Sequence, residues 1–382
     1  MTAQQPAAVQ EESVKAVPRR VVGGNVQGVE VVVLGFDFRP LDAAETQRLS
    51  GHRDQVWDVT FTSDGKRAVS VSGSPAPMVP VQDASVRLWD LESGDRVREH
   101  GLPNDAIFQV AVSPDGTTAL LATNEPFLRV WDLTSWLEVG QLEGHDGPVT
   151  GVEFVPGGER AVSVSVDGTL ILWDVPRRMA VHRFGGHGEG LWSVAVGPDG
   201  RTAVSDSADC SMVLWDLETG AEIRSFQRED APGTPGSSGQ AILPNGRTAL
   251  SCENDGLLIE WDLETGEEIR RLGTHACLRT RVVVSPDGRL AVTSGMDGTL
   301  MFWDLESGEL IRRSTGLGMI CDLAIAPDGQ TIAFGLSDGT IAQWRLTDPS
   351  LAELKAWVSA NRYLPELTCA ERETYRIEPL CD

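Results

Sequence analysis

An all-β chain built as a repeat array, a β-propeller or a related assembly of small sheets, is what three features of the sequence predict. Tryptophan recurs at Trp89, Trp131, Trp173, Trp215, Trp261, Trp303 and Trp344, with gaps of 42, 42, 42, 46, 42 and 41 residues. Six of these seven tryptophans are followed at once by aspartate. Between Leu49 and Trp344 short apolar or alternating runs are separated by glycine-bearing turns, and no segment has the period of a helix. A period in the forties marks units that each supply one small sheet and bury its faces only against their neighbours. Such a chain carries its function on loops.

Each unit reads as four strands. In the third, Val152 and Phe154 alternate along a first strand, Gly157-Gly158 turns the chain, and Ala161 to Ser165 forms the second. Asp167-Gly168 turns it again and Leu170-Ile171-Leu172 leads into Trp173. Apolar runs split by Asp-Gly dipeptides are hairpin signals. After Trp-Asp comes another turn, Glu92-Ser93-Gly94-Asp95 or Glu264-Thr265-Gly266-Glu267, and then an outer strand such as Glu268 to Leu272.

The pairs Gly51-His52, Gly144-His145 and Gly186-His187, the turns Ser113 to Gly116 and Ser285 to Gly288, and the Trp-Asp endings resemble those of WD-repeat proteins. The resemblance covers roughly residues 46 to 347 and implies a seven-bladed β-propeller of four-stranded antiparallel blades. It also implies a buried hydrogen-bond network in each complete blade, running from Asp to His to Ser or Thr to the Trp indole. The sets are His52, Asp83 and Trp89; His145, Asp167 and Trp173; His187, Asp209 and Trp215; and His275, Asp297 and Trp303. Three repeats depart from the pattern. The second has Glu125 in place of Asp and His100-Gly101 in reversed order, the fifth has Glu229-Asp230 in place of Gly-His, and the seventh has Thr315-Gly316. Their networks are expected to be incomplete. Ser, His and Asp are also the residue types of a nucleophilic triad, which makes a propeller hydrolase the distant alternative. A set that recurs in blade after blade reads as structural, because a nucleophile also needs an oxyanion site and substrate access. The chain is therefore read as not an enzyme.

The ends of the chain predict how the ring closes. The seventh unit stops at Trp344-Arg345-Leu346, and Thr347-Asp348-Pro349 breaks its pattern before an outer strand. Thr46 to Leu49 matches the outer-strand residues Ile269 to Leu272 with no inner strands ahead of it, so pairing the two ends removes an open edge. Upstream, 21–45 is read as one extra strand segment on the strength of Val29 to Phe38, and the polar, proline-bearing 1–20 as a disordered arm. Downstream, 348–382 is read as two short helices packed on the propeller. Asp348-Pro349 starts the first, Leu351, Leu354, Trp357 and Val358 form its apolar face, and Thr368 with Glu371 starts the second. This tail resembles those of bacterial WD-repeat proteins.

Composition narrows the partners. Against 32 Lys and Arg stand 56 Asp and Glu, a formal charge of −24 that repels phosphate backbones and anionic membranes. Neither nucleic acid nor membrane is expected as a partner. The six cysteines form no Cys-x-x-Cys pair and read as free buried thiols, with a Cys369–Cys381 bridge left open. Met1 to Arg20 contains no apolar core of a signal peptide, so the expected compartment is the cytoplasm. His100 and His182 have no ligand-spaced companions and no phosphate-binding loop follows a strand, so no metal and no cofactor is expected.

What remains is a binding surface for a protein or peptide. In WD-repeat proteins the residue eight before each first-turn glycine points to the channel mouth, and here that position is Trp57, Phe108, Thr150, Trp192, Ser238, Thr280 and Cys321. A second position, just before the blade Asp, is Gln82, Asn124, Val166, Ala208, Asn254, Met296 and Ser337. Two insertions fall on the same face, one of nine residues within 73–81 that would present Met78 and Val79, and one of four within 231–237. The candidate contacts are thus Trp57, Phe108, Trp192, Gln82, Asn124, Asn254, Met296, Met78 and Val79, with Trp57 and Trp192 alternatively plugging the channel. The leading function is a non-catalytic interaction scaffold. The alternative is a sensor or regulatory module of a larger bacterial signalling or defence system.

Overall fold

The computed structural model describes residues 10–13, 19–26, 29–35, 42–73, 83–102, 106–185, 187–209, 211–228, 239–253, 255–276 and 280–347. Seven antiparallel sheets form a propeller. Blade 1 takes its strands in chain order, Val56–Phe61, Arg67–Ser72, Ser85–Asp90 and Arg96–Gly101. Blades 2 to 6 repeat that order over 107–143, 149–185, 191–226, 239–274 and 280–315. Blade 7 contributes Ile320–Ile325, Thr331–Leu336 and Thr340–Thr347, and its fourth strand is Asp42–Ser50.

Turn chemistry cuts the strands to length. In blade 2 the Ser113 hydroxyl donates to Asp115 Oδ1 at 2.5 Å, the same oxygen accepts the Thr117 N–H at 3.0 Å, and Gly116 takes φ +72°. Only glycine enters that left-handed region without strain. The aspartate after Trp89 acts likewise: Asp90 Oδ1 accepts the N–H groups of Glu92 at 3.1 Å and Ser93 at 2.9 Å. Gly94 then sits at φ +79°, the place that Trp136 fills at φ 59° in blade 2 and Arg178 at φ 55° in blade 3.

The core is divided into seven clusters, one at each blade-to-blade seam. At the seam of blades 3 and 4, Val162, Val164, Leu170 and Phe184 pack against Leu191, Val194, Ala203 and Trp215. Each repeat tryptophan is thus buried against the blade before it. The seam of blades 7 and 1 closes the ring: Leu49 of the Asp42–Ser50 strand lies with Ile341, Ala333, Val56 and Trp89. In register, Leu49 stands opposite Ile341 and Arg48 opposite Ala342.

The N-terminal region differs from the sequence reading. The closing strand runs over Asp42–Ser50, longer than the expected Thr46 to Leu49. Arg19–Val26 and Val29–Gly35 form a two-stranded hairpin where a single strand was expected, because both halves are rich in β-branched valine. Within the segment read as a disordered arm, Gln10–Ser13 is a strand on the outer edge of blade 6, with Glu12 opposite Arg313. The helical tail at 348–382 lies outside the described residues, among which no helix occurs.

Leu49→Ala removes a wholly buried side chain from the closing seam and is expected to cost about 3 kcal/mol. Thr46→Ala, exposed on the same strand, is expected to cost under about 1 kcal/mol. Equal urea midpoints for the two variants would contradict the closing role of this strand.

Candidate functional site

The residues of the expected polar networks come together inside the blades. In blade 3 the Trp173 indole N–H donates to Ser163 Oγ at 2.8 Å, and Ser163 Oγ lies 2.7 Å from His145 Nε2. His145 Nδ1 is 3.0 Å from Thr169 Oγ1 and 3.3 Å from Asp167 Oδ2. Blade 1 repeats the chain with Trp89, Ser70, His52 and Asp83, and blade 4 with Trp215, Ser205, His187 and Asp209. In blade 6 Trp303 donates to Thr293, which is 2.7 Å from His275 Nε2. There Nδ1 reaches Thr299, and Thr299 in turn donates to Asp297. The glycine before the histidine lets the indole lie flat, since a Cβ at Gly144 would fall 2.9 Å from Trp173 Cη2.

Burial keeps these histidines neutral. It lowers the pKa of His52, His145 and His187, and it takes His275 from 6.5 to about 4. Burial alone would raise Asp83, but hydrogen bonds from His52, Ser85 and the Arg53 N–H outweigh it and hold the carboxyl well below its ordinary value. Ser163 and Ser205 are wholly buried, and each hydroxyl oxygen is occupied by an indole N–H. A nucleophile so placed has no path to a substrate.

The incomplete networks are of two kinds. In blades 2 and 7 Leu121 and Phe334 stand where the others have Ser or Thr. Neither the Trp131 nor the Trp344 indole N–H has a hydrogen-bond partner within normal geometry among the described residues, and Glu45 of the closing strand stands opposite Trp344 in register. Blade 5 lacks the histidine yet keeps the first link: Trp261 donates to Ser251, and Ser251 donates to Glu253 at 2.6 Å. The blade 5 network is thus incomplete, as expected, with a carboxylate where the complete blades have histidine.

On the rim, register decides the geometry. In blade 1 Val56 pairs with Ser72 and Asp58 with Val71, so Trp57 is the extra residue of a β-bulge. Phe108, Thr150, Trp192 and Cys321 stand at the same bulge in blades 2, 3, 4 and 7. In blade 6 Thr280 pairs in register with Gly295, and Ser238 of blade 5 lies outside the described residues. A bulge turns its extra residue out of the sheet. Trp192 is 46% exposed, while Trp57, Phe108 and Cys321 are half-buried. Thr150 is buried and donates to Leu191 O at 2.7 Å. Among the second-position residues, Asn124 is exposed but its Oδ1 accepts the Ala106 N–H, Val166 is exposed and Met296 half-buried. Gln82, Asn254, Met78 and Val79 lie outside the described residues.

The channel below the rim holds polar groups that the sequence reading missed. Asp58 Oδ2 accepts the Val110 N–H at 2.6 Å, Gln109 Oε1 the Val152 N–H at 2.9 Å, Glu153 Oε2 the Val196 N–H at 2.9 Å and Asp322 Oδ2 the Val59 N–H at 3.1 Å. Each of these side chains ties its blade to the next one around the ring. Arg281 Nε lies 3.5 Å from Asp322 Oδ1. Burial, and then the neighbouring Asp322 carboxylate, push the Asp58 carboxyl well above its ordinary value, and burial takes Glu153 to about 7. A charge one or three residues after the rim positions Trp57, Thr150 and Cys321, inside an apolar strand, was the available signal.

The family model of the WD domain, G-beta repeat, matches residues 44–90, 136–174, 179–216, 266–304 and 309–345, just over half of the chain. The chain belongs to the WD-repeat family. A comparison with curated proteins finds no match. Each WD-repeat match joins an outer strand to the three inner strands of the following blade, and the long gaps between matches, 91–135 and 217–265, hold the three inner strands of blades 2 and 5. Those are blades whose Gly-His pairs are missing or reversed. WD-repeat propellers generally act as non-catalytic platforms for protein interactions.

In hydrogen exchange, blades 2 and 7 are expected to open more readily than blades 1, 3, 4 and 6, with blade 5 between them; uniform protection would refute the link between network and stability. The folded-state pKa of His275 lies below its ordinary value, so the unfolded chain takes up the proton first as pH falls. Stability is therefore lost between pH 6.5 and about 4, by about 3 kcal/mol for this ring, and an NMR titration placing His275 near 6.5 would contradict it. Glu153 has the opposite sign, its contribution being present below pH 4.5 and lost as pH rises through about 7. Glu153→Gln keeps the acceptor for Val196, so the variant is expected to gain on the wild type with rising pH, by at most about 3 kcal/mol at pH 8.

Proposed function

We propose that this WD-repeat propeller is a non-catalytic platform that binds a protein or peptide on the face where Trp57, Phe108 and Trp192 meet the channel mouth. The observation that carries the reading is the placement of all three aromatics at bulges of inner strands, at the same position of blades 1, 2 and 4. A bulge costs ladder hydrogen bonds and recurs where a side chain must be re-aimed. Large aromatics on an exposed rim are the residue type that anchors protein interfaces. The exposed Val166 extends the apolar surface on the blade 3 side of Trp192, because Gly190, two residues before Trp192, lies directly against it. Met78, Val79, Gln82, Asn254 and Met296 are assigned to the same surface from their sequence positions.

Trp192→Ala truncates an exposed side chain and is expected to leave the unfolding midpoint within about 0.5 kcal/mol of the wild type. Partners captured by the wild type are expected to be lost from this folded variant and from Trp57→Ala. An unchanged partner set in both variants sinks the reading.

A further inference from the structure

The inner strands enclose a channel of about 480 Å³. Its wall is mostly small and apolar, with Ala111, Val194, Ala241 and Ala324 among its residues. Three carboxylic acids stand on it, Asp58, Glu153 and Asp322, and among the described residues that line it Arg281 is the only cation. Asp58 and Asp322 belong to adjoining blades and directly follow the rim residues Trp57 and Cys321.

The fold does not require this charge. Gln109 occupies the position of Asp58 in the next blade and makes the same stitch to the following strand with a neutral amide. Where a neutral side chain suffices at one blade, carboxyls at three others give the channel more acidic than basic groups, and apolar walls strengthen the attraction of an ionised carboxylate for a cation. Trp57 stands directly before Asp58 at the bulge of the same strand, and an indole face attracts a cation.

We infer that the channel mouth takes an arginine or lysine side chain of the partner segment, held between the rim aromatics and the Asp58 and Asp322 carboxyls. This rests on the proposed interaction face and names the chemistry of its partner. Charge complementarity of this kind selects one partner class over others. The groups facing the bound cation are Asp58, Asp322, Glu153 and Arg281. A cation seated there pairs with the ionised form of these carboxyls, which protonation removes. Binding is therefore expected to weaken as pH falls.

The test is selection of a phage-displayed random dodecapeptide library on the full chain, on Trp192→Ala, and on an Asp58→Asn, Asp322→Asn double variant that retains both hydrogen-bond acceptors. Wild-type protein is expected to enrich peptides with Arg or Lys at one fixed position. Their affinity is expected to fall at least tenfold on the double variant and also when that Arg is replaced by citrulline against wild-type protein. The citrulline arm holds even if the double variant does not fold. Enriched peptides that are neutral or acidic, or a citrulline peptide that binds equally well, overturn the cation subsite while Trp192-dependent binding leaves the face standing. Enriched peptides indifferent to Trp192 overturn the face itself.

Discussion

The seam between blades is the constraint on which the rest of this structure depends. A four-stranded sheet has two faces and only its neighbours to cover them, so each repeat tryptophan packs in the cluster it shares with the preceding blade. In an open repeat array the terminal faces need polar caps. A ring has no ends, but only if the last seam forms. Here that seam depends on Asp42–Ser50, a strand some three hundred residues from its partner Thr340–Thr347. Leu49 is the side chain through which this distant pairing joins the core of blades 7 and 1.

Polar order inside the seams follows from burying tryptophan. An indole N–H sealed from water without an acceptor costs about 1–3 kcal/mol, and in five blades a Ser or Thr supplies the acceptor. The hydroxyl then needs its own acceptor, which the neutral histidine provides at Nε2, and the opposite ring nitrogen donates onward to a hydroxyl or carboxylate. The chain of dependencies explains why a Ser, a His and an Asp recur together without chemistry. Blade 2 shows another arrangement. With Leu121 in the hydroxyl position, Trp131 is flanked by His100 at 4.6 Å and by Trp136 at 6.0 Å, between ring centroids. Trp136 holds a left-handed backbone that costs a bulky residue about 1–2 kcal/mol, so ring packing there works against backbone strain as well as an orphaned donor.

The fold was legible because its signals are periodic. The tryptophan spacing, the turn glycines and the missing fourth strand of the last unit each follow from one-dimensional pattern, and they led to seven blades and a closing strand. The strand pairing that makes a bulge leaves no such trace. Trp57 and Trp192 stand at the same spacing from their turns as Thr280 of blade 6, which is not bulged. The replacement of histidine by Glu253 in blade 5 was also illegible, since the carboxylate comes from a different place in the repeat. The N-terminal hairpin was half legible, Val29 to Leu34 being read as a strand and Arg19 to Val26 not.

The channel carboxyls show how structure and recognition can share one side chain. One oxygen of Asp58 or Asp322 ties two blades together, and that bond is equally available to an amide, as Gln109 demonstrates within the same ring. Choosing a carboxyl over an amide raises the cost of burial, which the elevated pKa of Asp58 and Glu153 expresses directly. A cost of this kind weakens the free propeller and is recovered when a cation arrives, because the attraction acts in the same apolar surroundings that made the charge expensive. The proposed cation contact rests on these positions, where folding alone would favour the neutral residue. The run of Asp322, Asp58 and Gln109 over blades 7, 1 and 2 marks where, on an otherwise repetitive molecule, one side of the channel differs from the other.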